Sequence, residues 1–416
     1  MRVAVVSMDT RGGIQPYIAL SSGLRRAGHE VRMIAPSDFA TMIAEHGLEF
    51  APLSGSVEAV LRTSLGAAEG GAIASMRLAA RELPARLGTW TRETLEACEG
   101  VDVLTGGVGG TVIGLSVAEK LGKPFIPTHL QPIGAVTDAY PGVMLARTPR
   151  WLGRWGRRVS HRLSEAAIWM PFKGAMNAAR EKVLGLSGRP VAAFDVPTLY
   201  GFSRHVVQVP PDAQHTRLVT GYWTLDTQAS WTPPAGLAQF IGRAGPVVSI
   251  GFGSMSSADP RSLTALVRRA ARGAGVRAVL LAGWGGLDAI AADDGDDVYC
   301  ADAIPHDWLF PRVAAVVHHG GAGTTGAGLQ AGIPSVVVPF TMDQPFWASR
   351  VEALGVGPAS IPRSRLTDER LAAALRQCIS DHDMRARAAA LGEKIRGEDG
   401  VREAVAHFER IASQHS

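Results

Sequence analysis

The chain has 416 residues, of which 46% are hydrophobic and 19% charged, and this composition excludes a disordered polymer and favours two globular domains. Its formal net charge of +4 suits an anionic small ligand and is too weak to indicate nucleic acid binding. The three cysteines have no metal-ligand spacing, and we find neither an apolar run long enough to span a membrane nor a signal-peptide pattern. These features predict a cytoplasmic protein without a metal site.

The first half of the chain alternates strand-like and helix-like segments. An apolar strand over Arg2–Ser7 precedes a glycine-containing loop over Asp9–Gly13, and apolar residues then recur at helical spacing from Ile14 to Leu24. The pattern continues through predicted strands and one predicted helix, at Val31–Ala35, Val101–Leu104, Val112–Leu121 (the helix) and Pro124–Pro127. Such alternation is typical of a parallel sheet covered by helices.

The same alternation restarts after Pro246. Strands are predicted at Val247–Ile250, Arg277–Ala282, Ala314–His318 and Ser335–Pro339, and helices at Leu263–Gly273 and Val401–Ala412. We therefore predict two doubly wound α/β domains facing across a cleft. The predicted segments are an N-terminal domain over 1–222, a linker over 223–236, a C-terminal domain over 237–395, and a terminal helix over 396–416 that packs back on the first domain. In such sheets ligands bind beyond the carboxyl ends of the strands.

A glycine-rich turn follows the predicted strand that ends at His318-His319. The turn Gly320–Thr325 leads directly into a predicted helix. Backbone N–H groups of such a turn can approach a phosphate closely, and the helix N-terminus adds about half a positive charge. The alternative is an ordinary glycine-rich turn in which a threonine caps the helix.

The next strand ends in a polar pair, Asp343-Gln344, followed by Pro345. Because neighbouring parallel strands end at the same edge of a sheet, we expect this pair to lie beside the glycine-rich turn. An acid and an amide together can bind vicinal sugar hydroxyls. The alternative is that Asp343 and Gln344 only cap the following helix.

These motifs resemble the donor-binding motif of the family 1 nucleotide-sugar glycosyltransferases, which have the GT-B fold. The similarity is greatest to bacterial sterol-type and antibiotic or macrolide glycosyltransferases, and it lies in the segments HHGGAGTT, GLQAGIPSVVVPF and DQPFWA. The resemblance implies an inverting enzyme that needs no metal or other cofactor. Its donor would be a UDP- or dTDP-sugar, and its acceptor a hydroxyl of a lipophilic small molecule such as a sterol, polyketide or antibiotic aglycone.

The resemblance also implies roles for individual residues. His319 and Thr324 would contact the diphosphate together with the backbone from Gly321 through Gly323 to Thr325, and Ser254 would also reach a phosphate. The base and ribose would be bracketed by Ile304, Pro305, His306 and Trp308. Asp343 and Gln344 would hold the sugar. Ala327 stands where plant-type members carry a ribose-binding glutamate, which leaves both UDP and dTDP possible.

The first loop departs from the family pattern in one respect. Similar bacterial enzymes often carry an aspartate base at the position that is Gly13 here. An alcohol is a poor nucleophile at neutral pH, so transfer to it needs a base. His129 and Asp138 are the candidate bases, and Asp9 is nearer to Gly13 in the sequence. Two alternatives are an acidic acceptor that needs little help, and a non-catalytic GT-B-like protein that only binds a nucleotide.

The segment 147–170 combines six arginines up to Arg162 with Trp151 and Trp155. The spacing places the tryptophans on one helical face, which is typical of a basic amphipathic helix on an anionic membrane. The alternative is a basic surface whose tryptophans line an acceptor pocket or the core. We predict peripheral membrane contact here as one possibility, and a monomer or homodimer.

Overall fold

The computed structural model describes residues 1–55, 86–146, 150–187, 196–210, 216–227, 231–253, 255, 259–283, 287 and 297–413. The chain divides into two compact units. The first comprises Met1–Leu225 together with Asp399–Ser416, and the second comprises Asp226–Glu398.

The first unit contains a parallel sheet in the order β3-β2-β1-β4-β5-β6-β7. Its described strands are β1 (Arg2–Val6), β2 (Glu30–Pro36), β3 (Glu49–Leu53), β4 (Val103–Gly106), β5 (Phe125–His129), β6 (Thr198–Tyr200) and β7 (Arg217–Val219). In register, Val3 of β1 pairs with Val31 on one side and Val103 on the other. After its exposed first residue, β1 is apolar and buried, as expected for a strand covered by helices on both faces.

The described helices of the first unit are α1 (Arg11–Arg26), α2 (Ala40–Glu45), α3 (86–97), α4 (Val108–Leu121) and α5 (Gly153–Ala179). The chain later returns to this unit through a terminal helix, Gly400–Ser413, which packs on α1. Contact is close because Gly23 lacks a side chain: a Cβ there would lie 2.3 Å from Cγ1 of Val401. A hydrogen bond of 2.9 Å between Nε2 of His29 and Oε1 of Glu409 adds to this packing.

The second unit contains a five-stranded parallel sheet in the order β10-β9-β8-β11-β12. Its strands are β8 (Val247–Gly251), β9 (Arg277–Leu281), β10 (Val298–Ala301), β11 (Ala315–His318) and β12 (Ser335–Val337). Val316 of β11 lies between Ser249 of β8 and Ser335 of β12. The described helices are α6 (Ala235–Gly242), α7 (Pro260–Ala274), α8 (His306–Leu309), α9 (Ala322–Ala331), α10 (Gln344–Ala353), α11 (Asp368–Ser380) and α12 (His382–Arg396), and we number the terminal helix α13.

Local signals explain where several of these helices begin and end. Asp259 caps α7 by accepting the N–H of Ser262, Pro260 occupies its first turn, and Gly275 ends it in the left-handed conformation. Thr367 caps α11 in the same way, by accepting the N–H of Arg370. The two capped helices, α7 and α11, pack against each other and on the sheet of the second unit.

Both sheets share one topological feature that positions ligands. The strand order reverses between β1 and β4 in the first unit and between β8 and β11 in the second. In doubly wound sheets this switch point opens a crevice at the carboxyl ends of the strands. The predicted doubly wound α/β class is confirmed, and the two switch points are where chemistry is to be sought.

Candidate functional site

The switch point of the second unit lies beyond the buried strand β11, which ends at His318. Nδ1 of His318 accepts the backbone N–H of Gly320 at 3.1 Å, so this imidazole shapes the turn that follows it. Burial, together with the charges of His319 and His306, lowers the pKa of His318 to about 3. His318 is therefore a neutral part of the turn at ordinary pH.

The imidazole of His319 lies between two glycines at the same point. A Cβ at Gly253, in the turn after β8, would lie 2.9 Å from Cε1 of His319, and one at Gly321 would lie 2.5 Å from Nε2. Among the described residues, no hydrogen-bond partner lies within reach of Nδ1 of His319. Glycine at both positions thus makes room for a buried imidazole at the junction of β8 and β11.

Helix α9 begins directly beside this imidazole. Gly321 is its N-cap residue, no side chain caps this end among the described residues, and its first turn carries no acid. The N–H of Thr325 donates to the carbonyl of Gly321 at 2.9 Å, while Gly323 and Thr324 occupy the half-buried first turn. An uncapped helix N-terminus leaves several backbone donors available to an anion such as a phosphate.

The polar pair after β12 reaches the same turn from the other side. A Cβ at Gly320 would lie 3.1 Å from the carbonyl oxygen of Gln344, so the two loops are in contact. The side-chain oxygen of Gln344 accepts the N–H groups of Phe340 and Thr341 at 2.7 and 3.0 Å. Its amide nitrogen lies 3.2 Å from the sulfur of Met255. Gln344 therefore organises the loop, and its predicted contact with a sugar stays a prediction.

Asp343 is held differently. Its Oδ2 accepts the indole N–H of the fully buried Trp347 at 3.0 Å. The preceding residue, Met342, has a φ of 57° and a side chain that is 60% exposed. A non-glycine residue in the left-handed region is uncommon, and Met342 marks a strained turn between β12 and α10. Asp343 is thus a half-buried carboxylate whose Oδ2 is held by Trp347.

The segment predicted to bracket a base lies on the connection from β10 to β11. Ile304 is buried, and the ring of His306 stacks on Phe310 with centroids 4.3 Å apart. Trp308 packs edge-on against Trp231 at 5.4 Å and carries the guanidinium of Arg312 over its face at 4.6 Å. Flat rings of this kind suit a nucleobase. Ser254, the remaining predicted phosphate contact, lies outside the described residues.

Comparison with known proteins gives two family matches that together span both units. Residues 3–132 match the glycosyltransferase family 28 N-terminal domain, and residues 290–411 match the erythromycin biosynthesis protein CIII-like C-terminal domain. The second match contains the whole constellation from Ile304 to Gln344. The chain belongs to the GT-B glycosyltransferases.

Relatives of this family member cover almost the whole chain. A sterol 3-beta-glucosyltransferase of Cryptococcus neoformans var. neoformans serotype D is 35% identical over 97% of this chain and 27% of its own length. One of Debaryomyces hansenii is 34% identical over 96% of this chain and 26% of its own length. The chain thus spans little more than a quarter of the length of these curated relatives.

Solved structures share the fold at lower sequence identity. The glycosyltransferase VinC in complex with dTDP has a TM-score of 0.70 and 20% identity, with full coverage of both chains. SsfS6 of Streptomyces sp. SF2575, complexed with thymidine diphosphate, has a TM-score of 0.65 and 20% identity, with 99% of each chain covered. These likenesses confirm the GT-B fold of the family.

The two residues predicted as candidate bases lie in the first unit. His129 ends β5 and is fully buried, 3.2 Å from the hydroxyl of Thr111, and burial and the charge of Arg217 lower its pKa to about 3. Asp138 accepts a hydrogen bond from Nε of Arg154 at 2.5 Å, which lowers the pKa of the carboxyl. One side chain is enclosed and the other is engaged by a guanidinium, and their catalytic role stays a prediction.

Sequence patterns did not reveal several contacts that shape these sites. Nothing in the residue order indicates that Met255 contacts Gln344 or that Trp347 holds Asp343, because both pairings depend on tertiary packing. The residue order likewise does not show that the carboxylate of Asp9 lies beside Gly13, where a Cβ would be 2.1 Å from Cγ of Asp9. No group of histidine, cysteine, aspartate or glutamate side chains able to hold a metal ion occurs in the part of the chain that the structure describes.

The buried histidines of the second unit predict acid lability. The pKa of His318 is lowered to about 3 and that of His319 to about 4, both mainly by burial. Between those values and about 6.5 the unfolded chain binds protons that the folded chain does not, so stability rises with pH in this window. We expect the free energy of unfolding to fall by about 1.4 kcal/mol per histidine for each pH unit below about 6. Denaturant titrations from pH 7 to 4.5 measure the free energy of unfolding at each pH. His318→Asn should reduce its slope against pH by the contribution of one proton. An unchanged slope in that variant would contradict the assignment of a lowered pKa to His318.

Proposed function

We propose that the chain transfers a sugar, with inversion, from a UDP- or dTDP-sugar to a hydroxyl of a lipophilic small molecule. The observation that carries the proposal is the imidazole of His319, packed between Gly253 and Gly321 beside the uncapped N-terminus of α9. A hydrogen-bonding ring and a helix N-terminus that converge at a switch point suit the diphosphate of a nucleotide-sugar.

The same groups account for how departure of the nucleoside diphosphate would be catalysed. When the bond from the sugar to the diphosphate breaks, negative charge develops on the diphosphate oxygens. Backbone donors of the α9 first turn and an N–H of neutral His319 would meet that charge where little water competes. Asp343, fixed through Trp347, would accept from a sugar hydroxyl. Preorganised donors of this kind cost little reorganisation during the reaction.

The relatives support a lipophilic acceptor. The Cryptococcus and Debaryomyces proteins are named sterol 3-beta-glucosyltransferases, and a 3β-hydroxysterol is therefore the first acceptor we propose. Polyketide and antibiotic aglycones are the second class, because the motifs resemble antibiotic glycosyltransferases and residues 290–411 match an erythromycin biosynthesis domain. The transferase names of these proteins favour an enzyme over a helper protein that only binds a nucleotide.

A transfer assay tests the proposal. The full chain is incubated with UDP-glucose or dTDP-glucose and cholesterol in detergent micelles, with reactions lacking donor or acceptor as controls. Mass spectrometry should detect a product heavier than the acceptor by one hexose residue, and free dTDP or UDP should inhibit its formation. Absence of product with sterol, polyketide and phenolic acceptors alike would refute the proposal.

We propose an anionic membrane surface as a further partner of helix α5. Apart from Met176, its buried residues are small or polar, whereas its exposed side carries apolar and basic residues. On α5, Trp155 is 68% exposed, and Leu163 and Met170 are exposed as well. Trp151, in the 3-10 turn directly before α5, is 83% exposed. Exposed tryptophans among arginines suit the interface of an anionic bilayer, where rings enter the headgroup layer and guanidinium groups pair with phosphates.

Replacing both exposed tryptophans tests this surface. We expect Trp151→Ala/Trp155→Ala to reduce sedimentation with phosphatidylserine vesicles at least 5-fold, because the apolar anchors are lost. Neutral phosphatidylcholine vesicles are the control, and the wild-type chain should bind them more weakly. Equal sedimentation of variant and wild type with the anionic vesicles would remove the membrane proposal and leave sugar transfer untouched.

No helix in the described parts of the chain is long and apolar enough to cross a membrane. A cytoplasmic location and a monomeric or homodimeric state stay predictions.

A further inference from the structure

The carboxylate of Asp9 lies in the space that a side chain at position 13 would occupy. A Cβ at Gly13 would lie 2.1 Å from Cγ of Asp9 and 2.3 Å from its Oδ2. A side chain at position 13 would force this carboxylate to move. The two positions are therefore coupled, because a side chain at position 13 and the carboxylate of Asp9 in its present place exclude each other.

The carboxylate is oriented by the backbone around it. Its Oδ1 accepts the N–H of Thr10 at 2.7 Å, and Thr10 is the N-cap residue of α1. The first turn of α1 carries no other acid, and a negative charge is favourable at the positive end of a helix. Asp9 is half-buried, whereas His129 is enclosed. Asp9 is thus partly exposed to solvent, unlike His129.

The surroundings place this group at the switch point of the first sheet. Asp9 follows the end of β1, and α1 carries Tyr17 over the adjoining end of β4, where a Cβ at Gly107 would lie 2.4 Å from the tyrosine oxygen. The Tyr17 hydroxyl donates to the carbonyl of Thr128 at 2.5 Å. Burial and the neighbouring charge of Asp9 raise the pKa of Tyr17 well above its usual value, so Tyr17 stays neutral. Asp9 is the acidic group that these contacts bring to this crevice.

We infer that Asp9 is the general base of the reaction, an inference that rests on the proposed function. An oxygen of Asp9 takes the proton from the acceptor hydroxyl as that oxygen forms its bond to the anomeric carbon. The bond from the anomeric carbon to the diphosphate breaks, and the nucleoside diphosphate leaves with the electron pair. One proton passes to Asp9 and one glycosyl group to the acceptor, so the step balances without another reactant.

Asp9→Asn tests the inference with little change in shape, since the asparagine oxygen can still accept the N–H of Thr10. We expect kcat for an aliphatic hydroxyl acceptor to fall about 100- to 1,000-fold, with nucleotide affinity unchanged. The matched control is Asp102→Asn. Asp102 also accepts a backbone N–H, from Arg2 at 2.7 Å, and lies at the opposite, amino end of the strands. Its kcat should stay within 2-fold of wild type.

A second variant separates a chemical role from a structural one. Asp9→Gly combined with Gly13→Asp moves the carboxylate to the other coupled position, and we expect it to recover at least 10-fold over Asp9→Gly alone. Wild-type turnover in Asp9→Asn would overturn the inference alone, and so would a loss that the double variant does not recover. No transfer by the wild-type chain to any acceptor would overturn the proposed function, and the inference with it.

Discussion

His319→Ala is expected to weaken binding of UDP or dTDP about 10- to 100-fold. The imidazole is buried between Gly253 and Gly321 with Nδ1 unpartnered among the described residues. Loss of one hydrogen bond to a charged phosphate costs about 1.5–3 kcal/mol, which corresponds to that range. Calorimetric titration of wild type and variant with each nucleotide measures the effect. Thermal melting of the unliganded variant separates lost affinity from lost folding.

His382→Ala is the matched control for this measurement. His382 lies in the same unit, at the exposed start of α12, away from the turn that follows β11. Its replacement should leave the nucleotide dissociation constant within 2-fold of wild type. If His319→Ala binds nucleotides as tightly as His382→Ala does, the diphosphate does not contact His319.

Gly110→Ala is expected to destabilise the first unit by about 3 kcal/mol or more. Gly110 lies in the first turn of α4, and a Cβ there would lie 2.1 Å from the carbonyl oxygen of Val6 in β1. The contact is with backbone, so no side chain can rotate aside, and α4 must move off the sheet. We expect calorimetry to record a melting temperature about 6 °C or more below that of wild type.

Glycine-to-alanine substitution at Gly174 should have the opposite effect on stability. Gly174 lies inside the exposed stretch of α5, and a Cβ there would meet no atom within 4 Å. Alanine stabilises an exposed helix interior by about 0.5–1 kcal/mol relative to glycine. Gly174→Ala should therefore melt about 1–3 °C above wild type. Equal melting temperatures for the two variants would contradict the close approach of α4 to β1.

The sequence predicts those parts of the fold in which apolar residues recur at a regular spacing or glycine and proline mark the turns. The apolar strand β1, the helix α1 and the strand β11 were predictable because apolar residues recur at one clear spacing and glycine marks the turns. The strands β3, β6, β7 and β10 were not predicted. β3 contains Pro52, and β6 and β7 have three residues each, which is too short for an alternating pattern to emerge.

The candidate site divides along similar lines. The turn from His319 to Thr325 is predictable because glycines between a strand end and a helix indicate a tight turn that leads into the helix N-terminus. The position of Asp9 is not, because a side chain that fills the space left by a glycine four residues later depends on how the loop turns. The absence of a side chain at Gly13 was visible in the sequence, and its consequence for Asp9 required the structure.

Hydrogen exchange with and without nucleotide tests the central claim most directly, that the second unit holds the donor at the turn between β11 and α9. The full chain is labelled in the presence of saturating dTDP or UDP, and protection is mapped by mass spectrometry. We expect slower exchange in peptides covering His319–Thr325, where the uncapped amides of the α9 first turn lie. Protection confined to the first unit, or unchanged exchange throughout at saturating nucleotide, would contradict the account.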